Sequence, residues 1–302
     1  MSIESYLAFV MIIITPAESE HVLTTLKYSS RYRVKPTVVN GVTAESGETP
    51  YVVSIKEPQI EIGQVEKYWS NICGGAIFGE NLVLTAAHCF EENDFIYAKR
   101  PQTLRVVAGA LKNHLRREKL FNTHDQWRSI SKVIIHEYFH FPNNDIAILF
   151  LRDPWKFSTT VHSVALAARS KDHYRECWTA GYGRVGYEVG DQVSEELLIA
   201  RVKTMPSWQC TTFWEMNMDK FICSDSTISD VSQGDSGSPM VCTAVSSNDN
   251  HPIVEGIVCG KNFDKTTLYT RVSSFHDWIS KNMASKTRKR YIMLIITMFL
   301  TN

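Results

Sequence analysis

The hydrophobic positions of the chain fall into short runs separated by turn-forming residues, and long amphipathic periods are scarce. Val52-Val53-Ser54-Ile55, Leu82-Val83-Leu84, Leu104-Arg105-Val106-Val107, Ile146-Ala147-Ile148-Leu149, Ile253 to Val258 and Leu268 to Val272 each read as a β-strand. Many short strands with few helical periods predict an all-β barrel or sandwich. One stretch departs from this: Phe275, Trp278 and Ile279 recur at helical spacing, which predicts a helix from Phe275 to Met283 capped by Ser274. Leu111 to Arg128 and Ser246 to Asn250 read as polar loops, and no internal repeat is visible.

The two ends have a different character. Tyr6 to Ile14 is an apolar run too short to span a bilayer, followed by Thr15-Pro16-Ala17, so residues 1–17 read as a secretory signal peptide and 18–37 as a pro-segment. At the other end, Ser285-Lys286-Thr287-Arg288-Lys289-Arg290 leads into Tyr291 to Leu300, about half the length a spanning helix needs. Residues 284–302 therefore read as a basic and apolar tail, disordered or processed, with membrane association through it as the alternative.

Composition narrows the class. The chain has 302 residues, 44% of them apolar and 21% charged, with 32 basic side chains balanced by 32 acidic ones. That is an ordinary globular composition with room for two packed sub-domains, and it gives no footprint for nucleic acid. Secretion would put the seven cysteines in an oxidising compartment, where they pair; six of them alone permit fifteen pairings.

Candidate chemistry sits in three segments: Leu84-Thr85-Ala86-Ala87-His88-Cys89, Asn144-Asp145-Ile146-Ala147-Ile148-Leu149, and Gln233-Gly234-Asp235-Ser236-Gly237-Ser238-Pro239. A serine hydroxyl is a weak nucleophile at neutral pH and needs an imidazole to take its proton; the imidazole in turn needs a buried carboxylate to fix its tautomer. Asp145, followed by an apolar run, is suited to burial, and Ser236 lies beside glycine, which lets the backbone turn sharply.

With these segments in the order His, Asp, Ser, the chain resembles the trypsin/chymotrypsin family of serine proteases over roughly Val38 to Met283. The resemblance implies two six-stranded antiparallel β-barrels, approximately 38–155 and 156–273, packed together with a C-terminal helix. It implies a secreted serine endopeptidase acting on protein or peptide substrates through an acyl-enzyme, open to protease inhibitors, and needing no metal or organic cofactor. His88 is then the general base, Asp145 its orienting carboxylate and Ser236 the nucleophile, with the N–H groups of Gly234 and Ser236 as the oxyanion hole. The same resemblance pairs Cys73 with Cys89, Cys177 with Cys242 and Cys210 with Cys223. It makes Val38-Val39-Asn40-Gly41 the start of the mature protease, with the new amino group of Val38 paired to Asp235.

The sequence departs from the family at several positions. Thr37, not Lys or Arg, precedes Val38, so a trypsin-like activator has no obvious bond to cut there. Asp230, six residues before Ser236, stands where trypsin-like enzymes keep the carboxylate that binds Lys or Arg, which implies cleavage after basic residues. The opposite pocket wall is remodelled: Thr267 stands at a usual glycine, Ser232 at the cysteine that braces the pocket, and Cys259 is left without that partner, read as a buried inert thiol. Ser238 replaces a glycine after the nucleophile, with strain in the turn expected. These changes keep a second reading open, a catalytically impaired protease-like protein used for binding. A third, zinc chemistry at His136-Glu137-Tyr138-Phe139-His140, fits H-E-x-x-H on paper, but the segment follows a strand and is ended by Phe141-Pro142, where a helix presenting both histidines does not fit.

Overall fold

The computed structural model describes residues 41–60, 67–113, 125–168, 174–183, 194–226, 231, 234–244, 251–262 and 266–284. The signal-peptide, pro-segment and tail readings, together with Val38, Asp230 and Ser232, lie outside the described residues.

After a two-residue strand β1 (Val42–Thr43), six strands follow: β2 (Val52–Ile60), β3 (Lys67–Gly79), β4 (Leu82–Thr85), β5 (Arg105–Ala108), β6 (Gln126–Ile135) and β7 (Ala147–Leu151). They close into an antiparallel barrel in the order β2-β3-β4-β7-β6-β5. Strand β7 explains why: side chains alternate across a strand, and both of its faces are buried. Ala147, Leu149 and Leu151 fill the barrel interior with Ile55, Ile77, Leu104 and Val106. Ile148 and Phe150 point the other way, with Ile146 just before the strand, into a second core shared with Val241, Val254 and Ile257.

That second core joins the barrel to a sheet built from β8 (Ala165–Leu166), β9 (Tyr174–Gly181), β10 (Leu198–Val202), β11 (Phe221–Asp225), β12 (Pro239–Ala244), β13 (Ile253–Asn262) and β14 (Thr266–Arg271). The ladder runs β1-β10-β9-β12-β13-β14-β11, with β8 parallel to β13. Six of these strands form the second barrel, but its seam differs from the others. Where β10 would pair with β11 the chain makes a single bridge, Thr204 to Ser224, flanked by Met205 N–H to Cys223 carbonyl and Asp225 N–H to Lys203 carbonyl, both 2.9 Å.

Among the described residues the α-helices are few: α1 (Glu92–Lys99), α2 (Ser207–Trp214) and α3 (276–284). The apolar face is the one the spacing predicts, with Phe275 buried in the turn before α3, Ile279 buried in it and Trp278 packed against the shared core. The capping expectation fails. Residues 272–275 form a 3₁₀ turn ahead of α3, and the Ser274 hydroxyl reaches the Asp219 carbonyl at 3.3 Å. The polar stretch ending at Arg128 also differs from a loop, because its last three residues belong to β6. The Arg128 guanidinium lies 5.3 Å over the Trp155 ring and donates to the Pro154 carbonyl, so a polar sequence is held in a strand by its flanks.

The structure joins Cys73 to Cys89 (Cα–Cα 6.2 Å), Cys177 to Cys242 (4.1 Å) and Cys210 to Cys223 (6.1 Å). The first ties β3 to the turn after β4, the second crosses β9 and β12, and the third holds α2 on β11. A structural disulfide typically contributes about 2–4 kcal/mol.

Candidate active site

His88 opens a 3₁₀ turn (His88–Phe90) at the end of β4. Ala86, Ala87 and Phe90 are fully buried, so small residues let the strand end press close to the core while Phe90 anchors the turn. Asp145 lies two residues before β7 and is itself fully buried. Asn144 before it takes a left-handed conformation (φ 53°), held by Asn144 Nδ2 donating to the Tyr138 carbonyl and by Lys220 Nζ donating to Asn144 Oδ1. Thr270 Oγ1, from β14 of the second barrel, donates to the Asp145 carbonyl at 2.9 Å.

The carboxylate meets His88 twice. Its Oδ2 lies 2.7 Å from His88 Nδ1, and its Oδ1 accepts the His88 backbone N–H at 2.8 Å. A buried carboxylate anchored this way fixes the imidazole plane and keeps the Nδ1 proton facing it. Burial alone would lower the His88 pKa, but the Asp145 charge and hydrogen bond outweigh it, and the net shift is upward from 6.5. The Phe141 ring stands edge-on to the imidazole, centroids 5.7 Å apart, covering one side of it.

Ser236 reaches the same place from the second barrel. The Gly74 N–H donates to the Ser236 carbonyl at 2.7 Å, the Asp235 carbonyl accepts from Ser238 N–H, and the Gly234 carbonyl accepts from Asn71 Nδ2 at 2.9 Å. The Ser236 loop is thus bound to β3, next to the Cys73–Cys89 bridge that holds the His88 turn. Asp235 is buried, and its Oδ1 accepts the Gly183 N–H at 2.8 Å. Gly237 is required here: its φ is +78°, and a Cβ would lie 2.2 Å from Thr85 Oγ1 and 2.7 Å from the Gly74 carbonyl oxygen. Gly237→Ala is expected to cost at least about 2 kcal/mol, read as a shift in the urea midpoint; a change under about 0.5 kcal/mol would contradict this packing. Ser238 is accommodated without a left-handed turn, because Gly74 and Gly181 leave room for its hydroxyl.

A two-barrel fold that joins His88 to Asp145 and binds the Ser236 loop to the strand beside them is the architecture of serine proteases. The chain belongs to the trypsin family: the family model described as Trypsin matches residues 38–279. It is 27% identical to bovine (Bos taurus) coagulation factor XI over 259 residues, covering 82% of this chain and 38% of that protein. It is 32% identical to bovine tissue-type plasminogen activator over 236 residues, covering 70% of this chain and 39% of that protein. The chain spans about two fifths of the length of these curated relatives.

One residue near the site escapes the sequence reading, and another is read only in part. Asn71 carries no motif, yet its amide is wedged between Ser54 Oγ, which donates to Asn71 Oδ1, and the Gly234 carbonyl. Cys259 is the free, buried thiol the sequence predicts, but its place in the ladder is not legible there. It is the extra residue where the β13–β14 ladder steps from Val258 opposite Tyr269 to Gly260 opposite Leu268, and this bulge turns its thiol to the Asp145 carboxylate and the Pro142 carbonyl (3.7 Å). Burial, then the Asp145 charge and hydrogen bond, push its pKa well up, so it stays a protonated donor. Iodoacetamide is therefore expected to leave the native, unreduced chain unmodified and to add one label after unfolding, read by intact mass. Comparable labelling of the native chain would contradict this.

Other candidates separate. His136 packs between Phe275 and Trp278, and Tyr138 N–H donates to its Nδ1, whereas His140 bridges to Asn143; the segment is a turn after β6, so the zinc motif is not on a helix. Donor atoms of Cys73, His88 and Cys89 cluster within 4.8 Å, but the two sulfurs are bonded to each other and offer no thiolate. Thr267 is buried, its Oγ1 3.3 Å from Ser226 Oγ.

Proposed function

We propose that this chain is a secreted serine endopeptidase that hydrolyses protein or peptide substrates through an acyl-enzyme. The observation that carries this is the doubly anchored His88–Asp145 pair, with the Ser236 loop bound to the strand beside it.

His88 Nε2 takes the Ser236 hydroxyl proton as Oγ bonds to the scissile carbonyl carbon, and the resulting oxyanion is met by the N–H groups of Gly234 and Ser236. Asp145 stabilises the imidazolium. Collapse breaks the C–N bond as Nε2–H gives its proton to the departing amine, and water, deprotonated by the same imidazole, hydrolyses the acyl-enzyme. No metal or organic cofactor enters any of these steps.

Cleavage after Arg or Lys through Asp230, and activation by cleavage before Val38 with its amino group paired to Asp235, belong to the same reading. The three disulfides agree with an oxidising, extracellular setting. Protease inhibitors are partners of the kind such a cleft admits. Among the described residues no helix is long and apolar enough to cross a membrane.

The pH profile tests the assignment of the base. The imidazole must be neutral to accept a proton, and its pKa is raised, so kcat/KM for a peptide substrate is expected to rise along an acid limb centred above pH 6.5. An acid limb centred below 6 would remove His88 from the role. The linked stability has the opposite sign: the Asp145 contact stabilises fully below pH 6.5 and fades as pH rises through the folded-state value.

A further inference from the structure

Lys56 is one of the largest fully buried side chains, 1% exposed, although it sits on a strand whose neighbours alternate inward and outward. Val53 and Ile55 fill the first barrel, so Ser54 and Lys56 share the outer face, where Asn71 meets Ser54 and where Asn113 and the Tyr182 ring meet Lys56. Ser54 reaches that loop through Asn71 and the Gly234 carbonyl. Lys56 reaches it by a longer path. Its Nζ donates to Asn113 Oδ1; Asn113 Nδ2 donates to the Ser194 carbonyl at 3.2 Å; Ser194 N–H donates to the Gly183 carbonyl at 2.9 Å; and Gly183 N–H donates to Asp235 Oδ1 at 2.8 Å.

We propose that Lys56 is a positioning residue for the nucleophile loop, acting through Asn113, Ser194 and Gly183 on Asp235, and that protonation of its buried amine releases this hold. The inference rests on the serine-protease reading for its consequence, but the linkage is a property of the fold.

The surroundings say which protonation state the closed seam favours. Asp125 is the carboxylate that acts on Lys56, and the Tyr182 ring lies 5.8 Å from Nζ while its hydroxyl is committed to the Ala110 carbonyl. Arg105 is opposite in the β2–β5 register, but its guanidinium is carried away to the Gln102 and Leu104 carbonyls and over the Trp69 ring. Glu57, next on β2, is bonded to Tyr97, while Lys112, Glu195 and Glu196 flank the seam where the 110–113 and 194–197 segments pair. Desolvation outweighs the attraction of Asp125, and the amine is held down at about 7 from 10.5. The closed seam therefore prefers the neutral amine. As pH falls from 10.5 towards about 7, proton uptake by the opened amine favours states in which the seam opens to water, and below about 7, where both states carry the proton, the effect levels off.

Hydrogen exchange of the full chain, corrected for intrinsic rates, tests this between pH 9 and 7 in wild type and Lys56→Met. Wild type is expected to lose protection at Gly183, Ser194 and Leu197 at least tenfold as pH falls from 9 to 7, and Lys56→Met to lose little; His88 is present in both, so the difference belongs to Lys56. An equal loss in both proteins, or none in wild type, overturns the proposal. Should Lys56→Met fail to fold, NMR titration of the wild-type Nζ decides: a midpoint near 7 supports the proposal, and one near 10 overturns it. Because neither readout needs turnover, absence of peptidase activity would defeat the enzymatic reading and leave this linkage standing or falling separately.

Discussion

Ser236→Ala is expected to abolish peptide hydrolysis, lowering kcat by about 10⁴-fold or more while the protein stays folded. The magnitude follows from what the hydroxyl does: without Oγ there is no acyl-enzyme, and His88 has no nucleophile to deprotonate. Residual turnover would come only from substrate positioning and the oxyanion donors, which by themselves give about 10³–10⁴ over water. The fold should be indifferent, since the contacts that fix this residue run through its backbone carbonyl, which accepts from Gly74 N–H. Retention of more than a few per cent of wild-type kcat, in a preparation free of other proteases, would show that Ser236 is not the nucleophile.

Asp145→Asn should cost nearly as much, about 10⁴-fold in kcat near neutral pH, for a different reason. An amide can still occupy the buried position and accept the His88 backbone N–H through its oxygen. Its NH₂ would then face Nδ1, forcing the proton onto Nε2, where the imidazole cannot act as base toward Ser236. The diagnostic is the pH profile: activity should partly return at high pH, where hydroxide can replace the missing base, whereas Asp145→Ala disturbs a fully buried site as well. A small loss with an unchanged profile would mean that Asp145 does not set the tautomer.

Much of this arrangement is legible in the sequence because short-range rules govern it. Six apolar runs mark strands that the structure contains, and the face of α3 follows from the spacing of Phe275 and Ile279. Their ends are less legible, since strand length depends on partners: β2 continues past Ile55 to Ile60 because β3 pairs with it beyond a bulge at Ile55/Lys56. The least legible features depend on register. Nothing local in Gly256-Ile257-Val258-Cys259-Gly260 announces that Cys259 is an unpaired bulge residue facing Asp145, and a lysine after an apolar strand reads as solvent-exposed until the 110–113 segment folds over it. The same holds for α1, whose sequence Glu92-Asn93-Asp94-Phe95-Ile96-Tyr97-Ala98-Lys99 has almost no amphipathic period and is placed by the Phe90 anchor before it.

The most direct test of the central claim is to treat the chain, cleaved to begin at Val38, with a fluorophosphonate and to map the adduct by peptide mass spectrometry. The account requires a single adduct on Ser236, lost in Ser236→Ala and strongly slowed in Asp145→Asn. A folded, cleaved protein that takes no adduct, or takes it at another serine, would contradict it.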